Sequence, residues 1–256
     1  MEKDEVREAV WDVLEDSGDA RFPFPPHGRI PNFAGAEGAC DRLVETPEWT
    51  AAETLKCNPD APQLPVRRAA LRAGKTVFMA QPRLRDPQPF LRLDPVDVDD
   101  IDEATTVSGV SKHGVPVGPD AVPHVDLVVA GSVAVTTAGA RIGKGEGYSD
   151  LEWAVLRELD AVDDSTRVAT TVHERQVADE SPSPIPDPTV LPDPDDHDVP
   201  LDLVVTPDRV VRTETPYSRP SGIHWDLLDP ERRSEIPVLA EFAPDGDVGV
   251  HRQGGG

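Results

Sequence analysis

Arg141-Ile142-Gly143-Lys144-Gly145-Glu146-Gly147-Tyr148-Ser149-Asp150-Leu151-Glu152 is the stretch on which the fold turns. Upstream of it, Val125-Asp126-Leu127-Val128-Val129-Ala130 has the apolar character of a buried strand. Downstream, Leu151, Trp153, Ala154, Leu156 and Leu159 recur so that Asp150 to Leu159 presents one apolar helical face. Strand, glycine-rich turn and helix together offer free backbone N–H groups and a positive helix end to a phosphate. Gly143, Gly145 and Gly147 let the backbone approach an anion without an intervening Cβ. Arg141 and Lys144 add cations that a simple tight turn does not require. Asp150, opening the helix, suits its dipole as an N-cap or first-turn carboxylate.

Working outward, Lys3 to Asp16 has helical periodicity through Val6, Val10, Val13 and Leu14, and a Pro-rich connector follows at Phe22 to Pro31. Ala34 to Leu43 reads as a second helix ended by Thr46-Pro47. Glu53 to Cys57 reads as a strand, Val66 to Ala73 as a helix closed by Gly74, and Lys75 to Ala80 as another strand. Val125 to Val135 and Arg167 to Val172 continue the pattern, and Leu201 to Val205 with Arg209 to Arg212 reads as a hairpin around Thr206-Pro207-Asp208. Helices alternating with short apolar strands predict a three-layer α/β/α architecture with a mostly parallel sheet. Asp94 to Glu103 reads as an acidic surface excursion, and Asp179 to Asp198, dense in Pro and Asp, as an extended loop. One domain is expected over 1–245, with a flexible tail at 246–256.

The 256 residues carry 48 acidic and 25 basic side chains, a formal net charge of −23, with lysine only at Lys3, Lys56, Lys75, Lys112 and Lys144. A hydrophobic content of 38 % and clear apolar strands argue against disorder. The charge points instead to a protein adapted to high salt, because molar salt shortens the Debye length to about 3 Å and relieves self-repulsion. It also argues against nucleic acid and anionic membrane as partners. Cys40 and Cys57 lack metal-type spacing and read as buried thiols of a reducing compartment. No apolar run reaches the roughly 20 residues of a membrane span, so a soluble, cytoplasmic chain is expected.

The glycine run resembles the G-x-G-x-G-Y-x-D loop of the 5-formyltetrahydrofolate cyclo-ligase family, the methenyltetrahydrofolate synthetases. It is more similar still to that family's divergent synthetase-domain-containing branch, whose loop reads R-I-G-K-G-E-G-Y-x-D-L-E. Gly28-Arg29-Ile30-Pro31-Asn32-Phe33, Asn58-Pro59-Asp60-Ala61-Pro62-Gln63, His197-Asp198-Val199-Pro200-Leu201-Asp202 and Gly222-Ile223-His224-Trp225 fit the same branch. The resemblance implies a cyclo-ligase-like fold and an ATP- and Mg²⁺-dependent closure of 5-formyltetrahydrofolate to 5,10-methenyltetrahydrofolate. It implies nucleotide-binding roles for Lys3 and Arg7 on the first helix, and for Arg141, Gly143, Lys144, Gly145, Gly147 and Tyr148. It implies Mg²⁺ on Asp150 and Asp198, and reduced folate at Asp60 and Gln63. Lys3 and Arg7, four apart, share one helix face and read equally as a solvated basic pair.

Departures from the ordinary family pattern are Glu146 in place of glycine, Lys144 and Ser149 in place of tyrosines, and Asp60 in place of a longer glutamate. They leave open a second reading, a family member that binds a nucleotide, a pterin or a thiamin-related metabolite without ligase activity. A third, a sugar-phosphate isomerase or CoA-transferase relative, has only Glu146 as a candidate base or nucleophile. His27, His113, His124, His173, His224 and His251 show no ligand spacing. Trp225 reads as packing the C-terminal segment on the core.

Overall fold

A computed structural model of the chain describes residues 1–180, 183–185, 187 and 191–243. Its centre is an eight-stranded sheet. The strands are β3 (Thr54–Cys57), β4 (Thr76–Ala80), β5 (Phe90–Leu93), β6 (Val115–Val117), β7 (Leu127–Val129), β10 (Arg167–Thr171), β11 (Leu203–Val205) and β12 (Val210–Arg212). They lie in the order β12-β11-β10-β7-β3-β4-β5-β6. The five inner strands from β11 to β4 are parallel, and β12, β5 and β6 add antiparallel edges. Two short hairpins stand apart: β1 (Ala20–Arg21) with β2 (Asn32–Phe33), and β8 (Ala134–Val135) with β9 (Arg141–Ile142).

Strand alternation assigns the two faces. Leu55, Cys57, Val77, Met79, Leu127, Val129, Leu203 and Val205 pack with residues of α2 (Ala36–Val44), α3 (Pro47–Ala51), α4 (Leu64–Arg72), α5 (Ile101–Ala104) and α6 (Val107–His113). Phe78, Ala80, Val128, Val168 and Val204 pack instead with α7 (Tyr148–Glu158) and the C-terminal segment, including Ile236 and Val238 after α8 (Pro230–Glu235). Helices on both faces confirm the expected three-layer, mostly parallel architecture. The first helix, α1 (Lys3–Asp16), has the expected bounds and packs Val6, Val10 and Leu14 against Val133, Ala134 and Ile142 of the β8–β9 region.

Several elements differ from expectation. Val125 to Val135 is two strands in different sheets, because the chain leaves the main sheet after Val129 and turns through Gly131 to form β8. Arg141 is therefore in strand β9 and not in the loop. The following helix starts at Tyr148, so Asp150 is in its first turn; the N-cap is Gly147, whose φ of +67° favours glycine. Thr46 follows the end of α2, donating through its N–H and hydroxyl to Leu43 O, and also starts a helix that was not expected: its hydroxyl accepts from Trp49 N–H to cap α3, with Pro47 in the first turn. The acidic excursion at 94–103 includes Asp100, which caps α5. Strands β5 and β6 were not expected; Phe90 and Leu91 are buried, whereas β6 is a short, largely exposed edge. Trp225 packs partly buried against the core. Cys40 and Cys57 are buried free thiols, and burial pushes them up to about 12 and about 11. No helix among the described residues is long and apolar enough to cross a membrane. The expected tail at 246–256 lies outside the described residues.

Candidate functional site

Among the parallel strands, β4-β3-β7-β10-β11 is the order 2-1-3-4-5 of doubly wound sheets, whose connections reverse direction between the first and third strands. That switch lies between β3 and β7. Past their carboxyl ends, Asn58-Pro59-Asp60, Gly131, and Gln81-Pro82-Arg83 after β4, open onto a cavity of about 290 Å³ whose other wall is the glycine loop. Gly131 is required here by close approach. A Cβ would stand 2.9 Å from the Asp60 carboxylate and 3.0 Å from Ile30. Arg83 at the rim and the buried Leu84 after it adopt φ of +59° and +52°, a left-handed conformation that side chains resist.

Asp60 is held from behind. The buried Arg67 guanidinium donates to the carbonyls of Asn58 (2.7 Å), Asp60 (2.9 Å) and Thr105 (3.0 Å), and burial lowers it to about 10. The Asp60 carboxyl is raised above its ordinary value, first by burial, against the pull of Lys144. Gln63 does not reach the cavity. It is fully buried, its Nε2 is 3.5 Å from Thr171 Oγ1, and its Oε1 has no partner among the described residues.

Under the cavity floor, strand alternation turns Lys56 to the α7 side, where it is buried. Its Nζ donates to Asn58 Oδ1 at 3.0 Å and pairs with the Glu152 carboxylate, which lines the cavity. Arg141, buried, donates through Nη1 to Gly131 O at 3.0 Å and through Nη2 to Asp150, whose same oxygen accepts from Val199 N–H at 3.1 Å. Burial opposes its charge, but Asp150 outweighs this and the guanidinium is raised. Its Nε has no partner among the described residues.

Around the outer side of the loop, α1 brings both of its cations. Arg7 Nε donates to Gly143 O at 2.7 Å and its Nη1 pairs with Asp4. Lys3 Nζ donates to Asp195 (2.7 Å) and Asp198 (2.6 Å); burial opposes its charge, but these carboxylates hold it above its ordinary value. The solvated-pair reading of Lys3 and Arg7 is thus replaced by specific contacts to the two segments of interest. Asp195, His197 and Asp198 bring metal-type donor atoms within 4.8 Å of one another; Asp150 is not in that group. Glu146 pairs with Lys144 at 2.7 Å and with Arg83 at 3.6 Å, and the Lys144 hydrogen bond leads in lowering its carboxyl. Arg232 of α8 donates to Glu146 O at 2.6 Å and lies 4.7 Å above the Tyr148 ring.

Lys56, Arg67, Glu152, Arg83 and Arg232 were not singled out from the sequence. Lys56 had a signal, a charge inside the apolar strand Thr54–Cys57. Arg67 had a weaker one, its position beside Val66 on the apolar face of α4. Arg232 had none.

The sequence matches the model of the 5-formyltetrahydrofolate cyclo-ligase family over residues 2–207. The methenyltetrahydrofolate synthase domain-containing protein of Mus musculus is 42% identical over 242 residues, 93% of this chain and 62% of that protein. Those of Bos taurus and Homo sapiens are 40% and 38% identical over 242 residues, each spanning 93% of this chain and 61% of the relative. The chain thus spans about three fifths of the length of these relatives. The NMR structure of Aquifex aeolicus 5,10-methenyltetrahydrofolate synthetase shares the fold, with a TM-score of 0.51 at 20% identity over 85% of this chain and 96% of that one. By its glycine loop, its sheet order and this match, the chain belongs to the 5-formyltetrahydrofolate cyclo-ligase family.

Proposed function

We propose that this chain binds Mg-ATP along the glycine loop and a reduced folate at the Asp60 end of the cavity, closing 5-formyltetrahydrofolate to 5,10-methenyltetrahydrofolate. One observation carries the reading. Arg7 to Gly143 and Lys3 to Asp198 join segments far apart in sequence, and together with Arg141 to Asp150, which closes the loop on itself, they surround one loop. Phosphoryl transfer needs positioning and charge neutralisation and no protein nucleophile, which suits this set of residues. The phosphate ligands in this reading are Lys3, Arg7, Arg141, Lys144 and the N–H groups of Gly143, Gly145, Gly147 and Tyr148.

The carboxylates fit magnesium. Asp150 and Asp198 each commit one oxygen to cations and backbone N–H groups and keep the other without a hydrogen bond among the described residues. One or two carboxylate oxygens, completed by phosphate and water, match what Mg²⁺ accepts. Bound there, the ion would neutralise phosphate charge. Asp60 offers paired acceptors to a ring bearing amino and N–H groups. Its raised carboxyl favours such a donor-rich partner. Gln63 belongs to the support of this segment rather than to its contact surface.

The second reading, binding of a nucleotide, pterin or thiamin-related metabolite without ligase activity, is favoured by one feature. Lys144 and Arg83 are both engaged by Glu146, so the cations facing the cavity are partly neutralised before any ligand arrives. Purified protein with 5-formyltetrahydrofolate and Mg-ATP, in molar KCl, should develop the methenyl chromophore with one ADP per turnover. Mg-ATP binding without the chromophore selects the non-ligase reading. Absence of Mg-ATP binding removes the ligase reading and the nucleotide form of the second.

A further inference from the structure

Beside the glycine loop, sharing Gly147 and Asp150 with the first, lies a second cavity of about 170 Å³. Leu151 and Ala154 of α7 form one apolar wall, and Pro220, Leu227 and Leu228 form the other. His197 and His224 close one end, with ring centroids 6.3 Å apart. Arg232 lines the cavity, and its buried Nε has no hydrogen-bond partner among the described residues. Half of this lining comes from residues beyond 207, where the match to the family model ends. The cavity is thus built as much by the C-terminal segment as by the glycine loop and α7.

Its chemistry specifies a ligand class. A cavity of about 150 Å³ with apolar walls admits a benzene-sized ring, and mostly apolar walls with a few convergent polar groups typify small-molecule sites. An unmet guanidinium N–H asks for an acceptor, and an anionic acceptor makes the stronger bond. The Asp150 carboxylate lines the cavity too, but Arg141 and Val199 N–H hold one of its oxygens and offset its repulsion of an anion. We infer that this cavity binds a small aromatic carboxylate, its ring between Leu151, Ala154 and Leu228 and its carboxylate on Arg232. The inference does not depend on the proposed ligase function. Arg232 also donates to Glu146 O and covers Tyr148, so an occupant would touch the element that clasps the loop.

The test uses benzoate as probe, with benzyl alcohol as its uncharged counterpart, titrated into the full chain in molar KCl and read by protein NMR. Expected are saturable shifts at Ala154 and Leu228, weaker binding of benzyl alcohol, and about a tenfold or greater loss of benzoate affinity in Arg232→Gln, the scale of a lost charged hydrogen bond. Ala154→Phe, which fills the cavity, should abolish binding. Leu228→Trp gives the same readout from the other wall if Ala154→Phe does not fold. No binding, or benzoate affinity unchanged in these variants, overturns the inference. Displacement of benzoate by Mg-ATP overturns it too, since the cavity would then be part of the nucleotide's own site. Benzoate binding in a protein that fails to bind Mg-ATP leaves the inference standing and removes only the proposed function.

Discussion

Lys56 and Glu152 form an ion pair buried between β3 and α7, joining the strand that leads to Asp60 to the helix that follows the glycine loop. Asn58 Oδ1 accepts a second bond from the same ammonium. The two sides of the cavity are therefore tied through its floor. Such a pair contributes little net stability beside an apolar replacement, but losing one partner strands a buried charge.

Lys56→Met or Glu152→Gln alone should destabilise the fold by about 3–5 kcal/mol, whereas the double variant should recover much of that loss. Urea unfolding of the four proteins in molar KCl measures the coupling. Simple additivity of the two single losses would show that the pair does not act as a unit.

Asp60 is raised by burial, so its linkage to pH has a definite sign. The unfolded carboxyl ionises at its ordinary value near 3.8, while the folded one holds its proton to higher pH. Asp60 therefore contributes most below that ordinary value, and stability is lost as pH rises from it through the folded pKa. Asp60→Asn should gain on the parent across that window and hold a constant advantage above it. A stability difference independent of pH would mean that the carboxyl is not raised.

Asp150→Asn should weaken the metal-dependent part of nucleotide binding, and Arg141→Ala should weaken binding with and without Mg²⁺. Each is expected to cost on the order of 1–3 kcal/mol where a charged hydrogen bond is lost. Calorimetric titration separates the two, and unchanged isotherms for both would move the nucleotide elsewhere.

The formal charge of −23 leads us to propose that folding depends on salt. Circular dichroism from dilute buffer to about 2 M KCl should show a gain of cooperative structure as screening shortens to a few Å. A cooperative melt of equal midpoint in dilute buffer would remove the salt-adapted reading.

Much of the frame was written in the sequence by itself. Periodicity located α1 at Lys3–Asp16, and short runs rich in apolar residues located β3, β4, β7, β10 and the β11–β12 hairpin, because inner strands buried on both faces need no polar alternation. The glycines at 143, 145 and 147 marked the loop, since positive φ at Gly145 and Gly147 is a local demand that leaves a local trace. Strands β5 and β6 were hidden: β5 lies between β4 and β6, and its four residues are interrupted by Arg92, while β6 is a short, largely exposed edge with Pro116 at its centre. The tertiary structure alone decided that Lys3 meets Asp195 and Asp198, that Lys56 meets Glu152, and that Arg232 clasps the loop at Glu146. Each is a long-range contact of a charged side chain, and a charge in a sequence of 48 acids and 25 bases carries no mark of its partner until the sheet order brings the two together.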